Sequence, residues 1–207
     1  MAASAEGANG DTVTTSYLPD GSLAFILSDG MGKGESAARE SILVTEQIKK
    51  LLKSGVSAAT AIKAVNRQML QSKREGFSFA TVDLTIIEKE SRRARFYKMG
   101  AATSFLVRRG NVKRIEHPAL PVGILPKLKL RAVALDVKPG DIIVMASDGI
   151  TEADRRDLSA GWLQCFLCNL STVQGPTAIA KEIVRMAQGK YGRRERDDLS
   201  VLVIFIE

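Results

Sequence analysis

Patterning becomes readable at residue 12. Residues 12–18 are rich in β-branched and aromatic types, Pro19-Asp20-Gly21 is a turn signal, and residues 22–28 are a short apolar run, so the opening segment predicts a β-hairpin. Over residues 35–53 the period becomes helical. Ala38, Ile42, Thr45, Ile48 and Leu52 fall on one face, and Gly55 stands beyond the end as a stop signal. Ser57 is placed to cap a second helix with an inward stripe of Ala58, Ala61, Ile62, Val65 and Met69. Between residues 77 and 115 the period shortens to twofold. Ala80, Val82, Leu84 and Ile86 alternate with Thr81, Asp83 and Thr85; residues 92–99 follow, and residues 104–109 turn through Gly110-Asn111 into 112–115, an antiparallel meander. Asp83 reads as a polar position on a half-exposed strand, with a place in a metal cluster as the alternative. A loop at 117–123 is fixed by Pro118 and Pro121, and His117 in it is either an acid or a surface residue. Strands at 128–137 and 141–147, helices at 157–170 and 176–188, a basic loop at 189–196 and a last strand at 199–206 complete the chain; Pro176 opens its helix.

Helices segregated around largely antiparallel strands define an α+β class: an antiparallel β-sandwich flanked by helix pairs, in α-β-β-α layers. The βαβ rhythm of a dinucleotide-binding fold is absent. Residues 1–10 are small and weakly patterned and read as a flexible leader, and residues 11–207 read as a single domain; 45% hydrophobic content over 207 residues is enough for one buried core. No signal peptide or membrane-length apolar run is present in the sequence.

Charge narrows the partners. A net charge of +7 favours anionic ones. The basic residues come in small clusters, Lys73-Arg74, Arg92-Arg93, Arg108-Arg109 and Arg193-Arg194, and aromatics make up only 5% of the chain, without the spacing of a base-stacking surface, so nucleic acid is not an expected partner. Cys165 and Cys168 have metal-ligand spacing. Their neighbours Trp162, Leu163, Phe166, Leu167 and Leu170 are apolar and His117 is far away, so they read as buried core cysteines on an apolar helix, suited to a reducing compartment.

The chemistry lies in two near-identical stretches. Ser28-Asp29-Gly30 ends the apolar run 23–27, and Ser147-Asp148-Gly149 ends the run 142–146. A carboxylate at the exit of a buried strand is rigidly held yet reaches solvent. Asp11, in Asn9-Gly10-Asp11, and Asp197-Asp198, just before the last strand, complete an all-oxygen donor set suited to Mg²⁺ or Mn²⁺ rather than zinc. A single Asp-Gly is equally a β-turn signal; the repetition points to function. Between Gly30 and Gly34, Gly32 included, the backbone is free to approach a metal or phosphate closely, but the spacing satisfies neither a dinucleotide fingerprint nor a P-loop. Arg193, Arg194 and Arg196 either hold a phosphate beside the acidic site or form a solvated loop.

The ordered set Gly10-Asp11, Ser28-Asp29-Gly30-Met31-Gly32, Ser147-Asp148-Gly149 and Asp197-Asp198-Leu199-Ser200 resembles the metal-dependent serine/threonine protein phosphatases of type 2C over nearly the whole chain. With Phe79-Ala80-Thr81-Val82-Asp83-Leu84 and Leu120-Pro121-Val122-Gly123-Ile124, it is most similar to the phosphatase domains of the bacterial stage II sporulation protein E family. The resemblance implies that Asp11, Asp29, the Gly30 carbonyl, Asp148 and Asp197 hold two Mn²⁺ or Mg²⁺ ions, Asp29 bridging them, with Asp29 and Asp148 catalytic and Asp198 in support. It further implies hydrolysis of phosphoserine on a phosphorylated anti-sigma-factor antagonist, by water activated between the two metals, in sporulation sigma-factor control. The same resemblance implies a cytoplasmic domain of a membrane-anchored bacterial parent with upstream regulatory segments; a homodimer is a further expectation. This sequence departs from eukaryotic members at three places. Met31 replaces a His and cannot donate a proton, so a metal-bound water would have to protonate the leaving serine. Gly100-Ala101-Ala102 replaces a third-metal ligand, leaving Glu152 as a supporting carboxylate. No Arg precedes Asp11, which leaves Arg193 or Arg196 to bind phosphate. The competing readings are a phosphatase-like scaffold with little or no turnover, and a metal-dependent hydrolase of another phosphoester.

Overall fold

The computed structural model describes residues 2–3, 9–32, 34–71, 78–154, 159–170, 175–192 and 197–207. Its strands are β1 (Ala2–Ala3), β2 (Asp11–Tyr17), β3 (Leu23–Asp29), β4 (Val82–Ile87), β5 (Arg93–Met99), β6 (Ser104–Arg108), β7 (Asn111–Ile115), β8 (Ala132–Asp136), β9 (Ile142–Ala146) and β10 (Leu199–Phe205). The helices are α1 (Glu35–Lys53), α2 (Ala58–Gln71), α3 (Asp148–Thr151), α4 (Gly161–Cys168) and α5 (Pro176–Tyr191). All strand pairs are antiparallel and fall into two five-stranded sheets, ordered β2-β3-β4-β5-β8 and β1-β10-β9-β6-β7. The α+β class expected from the sequence is the class observed. Each sheet belongs to its own compact unit, the first within Ala8–Ala101 and His117–Asp136, the second within Ala102–Glu116 and Val137–Glu207 together with β1.

In the first unit, β2 and β3 form the predicted hairpin, registered from Asp11 opposite Asp29 to Tyr17 opposite Leu23. One face of the sheet, with Ala24, Ile26, Val82 and Leu84, packs against Val44 and Ile48 of α1 and Ile62 and Val65 of α2. The α2 stripe is as predicted, and the Ser57 hydroxyl accepts the Thr60 N–H at 3.3 Å. The α1 stripe differs: Ala37, Ser41, Val44, Thr45, Ile48 and Leu52 are buried, while Ile42 is 50% exposed and Ala38 only half-buried. The inward face is centred on Ser41, whose hydroxyl is bonded to Thr12 Oγ1 (2.7 Å) and the Ala38 carbonyl (3.1 Å), so a polar residue occupies a position that hydrophobic periodicity gives to its neighbour. Beyond α1, the Gly55 N–H reaches the Leu52 carbonyl (3.0 Å) and the Val56 N–H the Leu51 carbonyl (3.0 Å), with Gly55 at φ 78°: a Schellman stop.

The opposite face of this sheet corrects a second expectation. Asp83 is not half-exposed. It lies opposite Lys98 in the register, and the two form an ion pair of 2.6 Å with side-chain exposures of 1% and 0%.

The predicted meander is broken. β4 and β5 belong to one sheet and β6 and β7 to the other; the change comes at 100–103, where Gly100 (φ 64°) lies so close to Pro121 that a side chain there would collide with the ring. In the second unit, β6, β9 and β10 contribute Phe105, Val144 and Val201 to a core closed by Trp162, Leu163 and Leu167 of α4 and Ile179, Ile183 and Ala187 of α5. Arg108 pairs with Asp141 through Nε (2.8 Å) and Nη2 (2.6 Å), fixing the turn from which β9 starts. Cys165 and Cys168 are exposed, contrary to the buried reading, because an i,i+3 pair shares one helix face and α4 turns the other, with Leu163 and Leu167, to the core. Helix α5 runs three residues past the predicted end at Gln188. Gly189 lies inside it, and the chain turns at Gly192 with φ 62°. Among the described residues, no helix is long and apolar enough to cross a membrane.

Candidate metal centre

The end of β3 is fixed from several sides. The Ser28 hydroxyl donates to the Thr81 carbonyl (2.6 Å), the Asp29 N–H donates to Thr81 Oγ1 (2.8 Å), and the Thr81 N–H donates to the Asp29 carbonyl (2.8 Å). Gly30 donates to the Gly10 carbonyl (3.2 Å) and Met31 to that of Phe79 (3.1 Å). A Cβ on Gly30 would overlap the Ala37 carbonyl, so packing against α1 requires glycine there. Asp11 is the cross-strand partner of Asp29 and only 7% exposed, and its N–H is held by Asn9 Oδ1 (2.8 Å). Two carboxylates directly opposite on adjacent strands repel unless a cation lies between them.

The end of β9 repeats this construction in the other unit. The Ser147 N–H donates to the Ser200 carbonyl (2.9 Å), the Ser200 N–H to Ser147 Oγ (3.0 Å), and Ser147 Oγ to the Asp198 carbonyl (3.3 Å). A Cβ on Gly149 would overlap the Asp198 carbonyl, and so the Asp148-Gly149 turn lies flat against the segment carrying Asp197. Burial, and then the charge of Asp197, holds the Asp148 carboxyl above its ordinary range; burial, then Asp148 and Asp197, does the same to Glu152. Asp198 is half-buried and its N–H donates to Asp197 Oδ1 (3.0 Å).

Each unit thus holds two neighbouring carboxylates at the exit of an inner strand, β3 in one and β9 in the other. The donors are hard oxygens, and the tension between them is what a divalent cation relieves, so the residues fit Mg²⁺ or Mn²⁺. Among the described residues no three His, Cys, Asp or Glu side chains gather into a ready-made cage. Arg193 and Arg196 lie outside the described residues. Met31 is 45% exposed. Thr81 and Tyr191 were not singled out from the sequence, yet Thr81 clamps Asp29, and Tyr191 donates from its hydroxyl to the Gly149 carbonyl (2.8 Å). Thr81 stands two residues before Asp83 in an alternating strand and carried no signal beyond that alternation.

Gly149→Ala is expected to destabilise the protein by about 1–3 kcal/mol, because the added methyl must push Asp198 away. Gly189→Ala, inside α5 with open space around its Cβ position, should stabilise by roughly 0.5–1 kcal/mol. Urea denaturation of both variants checks the contrast; equal effects would show that the close approach at Gly149 is immaterial.

Two antiparallel five-stranded sheets with helices give the fold of the PP2C class of serine/threonine phosphatases. The PP2C phosphatase domain of the Bacillus subtilis cell-fate determinant SpoIIE, solved with a fragment of its regulatory domain, superposes with a TM-score of 0.89 at 29% identity, covering 100% of this chain and 61% of that one. The family profile described as Stage II sporulation protein E (SpoIIE) matches residues 19–207, and the chain belongs to that family. Stage II sporulation protein E of Bacillus subtilis (strain 168) is 31% identical over 96% of the chain, and that of Priestia megaterium 32% identical over 94%. The chain spans 24% and 33% of the length of these two relatives.

Proposed function

We propose that the chain is a Mn²⁺- or Mg²⁺-dependent protein serine phosphatase acting on a phosphorylated anti-sigma-factor antagonist. The observation that carries this reading is the repeated construction at β3 and β9. In both places a serine hydroxyl pins the strand end, an aspartate follows, and a glycine is forced by contact with a neighbouring carbonyl. In this reading residues 11–207 are a single domain, and Asp11, Asp29, the Gly30 carbonyl, Asp148 and Asp197 are the ligands of two ions, as the family resemblance implies. Asp198 and Glu152 support them. Bound there, the cations supply a nucleophile at neutral pH and neutralise charge on the in-line displaced phosphoryl group.

The protein's own groups do the rest. Thr81 and Ser28 keep Asp29 from turning away, and Ser147 keeps Asp148 on the segment of Asp197. Met31 has no proton to give, so the leaving serine takes one from a water molecule. Arg193 and Arg196 receive the substrate phosphate, in keeping with a net charge of +7. The same reading makes the segment a cytoplasmic part of a longer, membrane-anchored parent whose other segments regulate it, and includes a homodimer; it is supported by the chain's spanning only 24% and 33% of its two relatives.

The test is phosphate release from a phosphoserine protein, an aryl phosphate and a DNA oligonucleotide, each with Mn²⁺ and with chelator. Chelator-sensitive turnover of the phosphoserine protein, with the DNA intact, is the expected result. Turnover that persists in chelator, or none on any substrate at millimolar Mn²⁺, would sink the proposal; the second outcome favours a scaffold.

A further inference from the structure

Asp197 lies on no regular element, is exposed, and precedes the first residue of β10 by two positions, so the sheet ladder does not hold it. Something else must, because Asp148 and Asp197 repel each other. Tyr191 is the last residue of α5, anchored in the same core as Ile183, Ala187 and Leu199, with 9% of its surface exposed. Its hydroxyl donates to the Gly149 carbonyl at 2.8 Å and accepts the backbone N–H of Asp197. One oxygen therefore joins the residue after Asp148 to Asp197 itself. We propose that Tyr191 is a positioning residue that holds Asp148 and Asp197 at the separation a divalent cation needs.

This rests on the reading of those two aspartates as metal ligands. The plainer account is that a buried tyrosine hydroxyl takes whatever partners its surroundings offer. The two accounts differ in what the hydroxyl's loss should change. A merely structural hydroxyl contributes to stability and leaves cation affinity alone. A positioning hydroxyl holds two like charges together against their repulsion, so without it Asp197 relaxes into solvent, and the cation must reassemble the pair on binding. Its removal is felt in metal affinity far more than in the stability of the metal-free protein.

Mn²⁺ affinity is measured by calorimetry, and independently by the electron spin resonance of free Mn²⁺, on the 207-residue chain and its Tyr191→Phe and Asp148→Asn variants. For Tyr191→Phe the affinity should fall about 10- to 100-fold, the usual consequence of losing a group that orients a ligand. Its metal-free melting temperature should stay near that of the wild type, and its phosphatase activity should rise back as Mn²⁺ is increased. Asp148→Asn should lose most of the binding. Tyr191→Phe with wild-type affinity, while Asp148→Asn has lost it, overturns the role of Tyr191 alone. A wild type that does not bind Mn²⁺, or an Asp148→Asn that binds as the wild type does, overturns the metal site and this inference together. If Tyr191→Phe does not fold, 3-fluorotyrosine at position 191 keeps the shape and the donor but weakens the acceptor; a drop in affinity supports the proposal and an unchanged one overturns it.

Discussion

Lys98→Met, with Asp83 left in place, should destabilise the protein by about 3–5 kcal/mol in guanidinium unfolding. The pair is bonded at 2.6 Å with side-chain exposures of 0% and 1%, so removing the ammonium strands a carboxylate where water cannot reach it. Several kcal/mol of lost desolvation compensation outweigh the favourable burial of the Met side chain. The double variant Asp83→Leu/Lys98→Met removes both charges and keeps the volume, and should recover most of the loss. A single variant costing under about 1 kcal/mol, or a double variant no better than the single, would show that the pair is not the buried unit described. The position also matters for the site. Asp83 lies opposite Leu27 in the register and two residues after Thr81, which immediately precedes β4 and clamps Asp29. Loosening this part of β4 is therefore expected to weaken cation binding as well.

That ion pair also marks where the sequence stopped being informative. The elements followed from period and turn chemistry: the hairpin closed at Pro19-Asp20-Gly21, α1 stopped at Gly55, and α2 began at Ser57 with its full stripe buried. The placement of Asp11, Asp29, Asp148 and Asp197 at strand ends was legible because each adjoins a strand whose apolar run can be counted. Asp83 was misread because alternation tells which residues share a face and not whether that face is covered; with both faces of β4 buried, the polar member of each alternating pair goes inside too. The same limit applies to Ser41, which a partner hydroxyl makes an inward residue, and to the break after Met99, where a sheet change depends on the distant Pro121. Tyr191 was missed for a local reason. Gly189 resembles a helix stop, and only neighbouring packing carries the helix over it to the tyrosine. For Asp83, Ser41 and Gly100 the deciding partner is remote in sequence.

Asp148→Asn should abolish metal-dependent phosphatase activity, with a loss of at least about 100-fold, while making the metal-free protein more stable at neutral pH. Asn keeps the shape and retains an Oδ1 to accept the Gly149 N–H, which Asp148 accepts at 2.7 Å, so geometry at the turn is conserved. What disappears is a charge that burial and Asp197 make unfavourable, and that in turn raises the Glu152 carboxyl. The sign follows from the direction of the shift. A carboxyl whose folded value is raised contributes stability below its unfolded value, near 3.8, and loses that contribution as the pH climbs through the raised one. Above that window the ionised Asp148 is a standing penalty, and the Asn variant escapes it. Melting curves in chelator should therefore show the variant above the wild type at neutral pH, with the gap closing as the pH drops towards 3.8. Added Mn²⁺ should reverse the order, because only the wild type gains from binding. An Asn variant that is both active and less stable than the wild type at neutral pH would mean that Asp148 is an ordinary turn residue. Opposite changes in activity and stability from one substitution are the mark of a charge kept for a ligand at the expense of the fold.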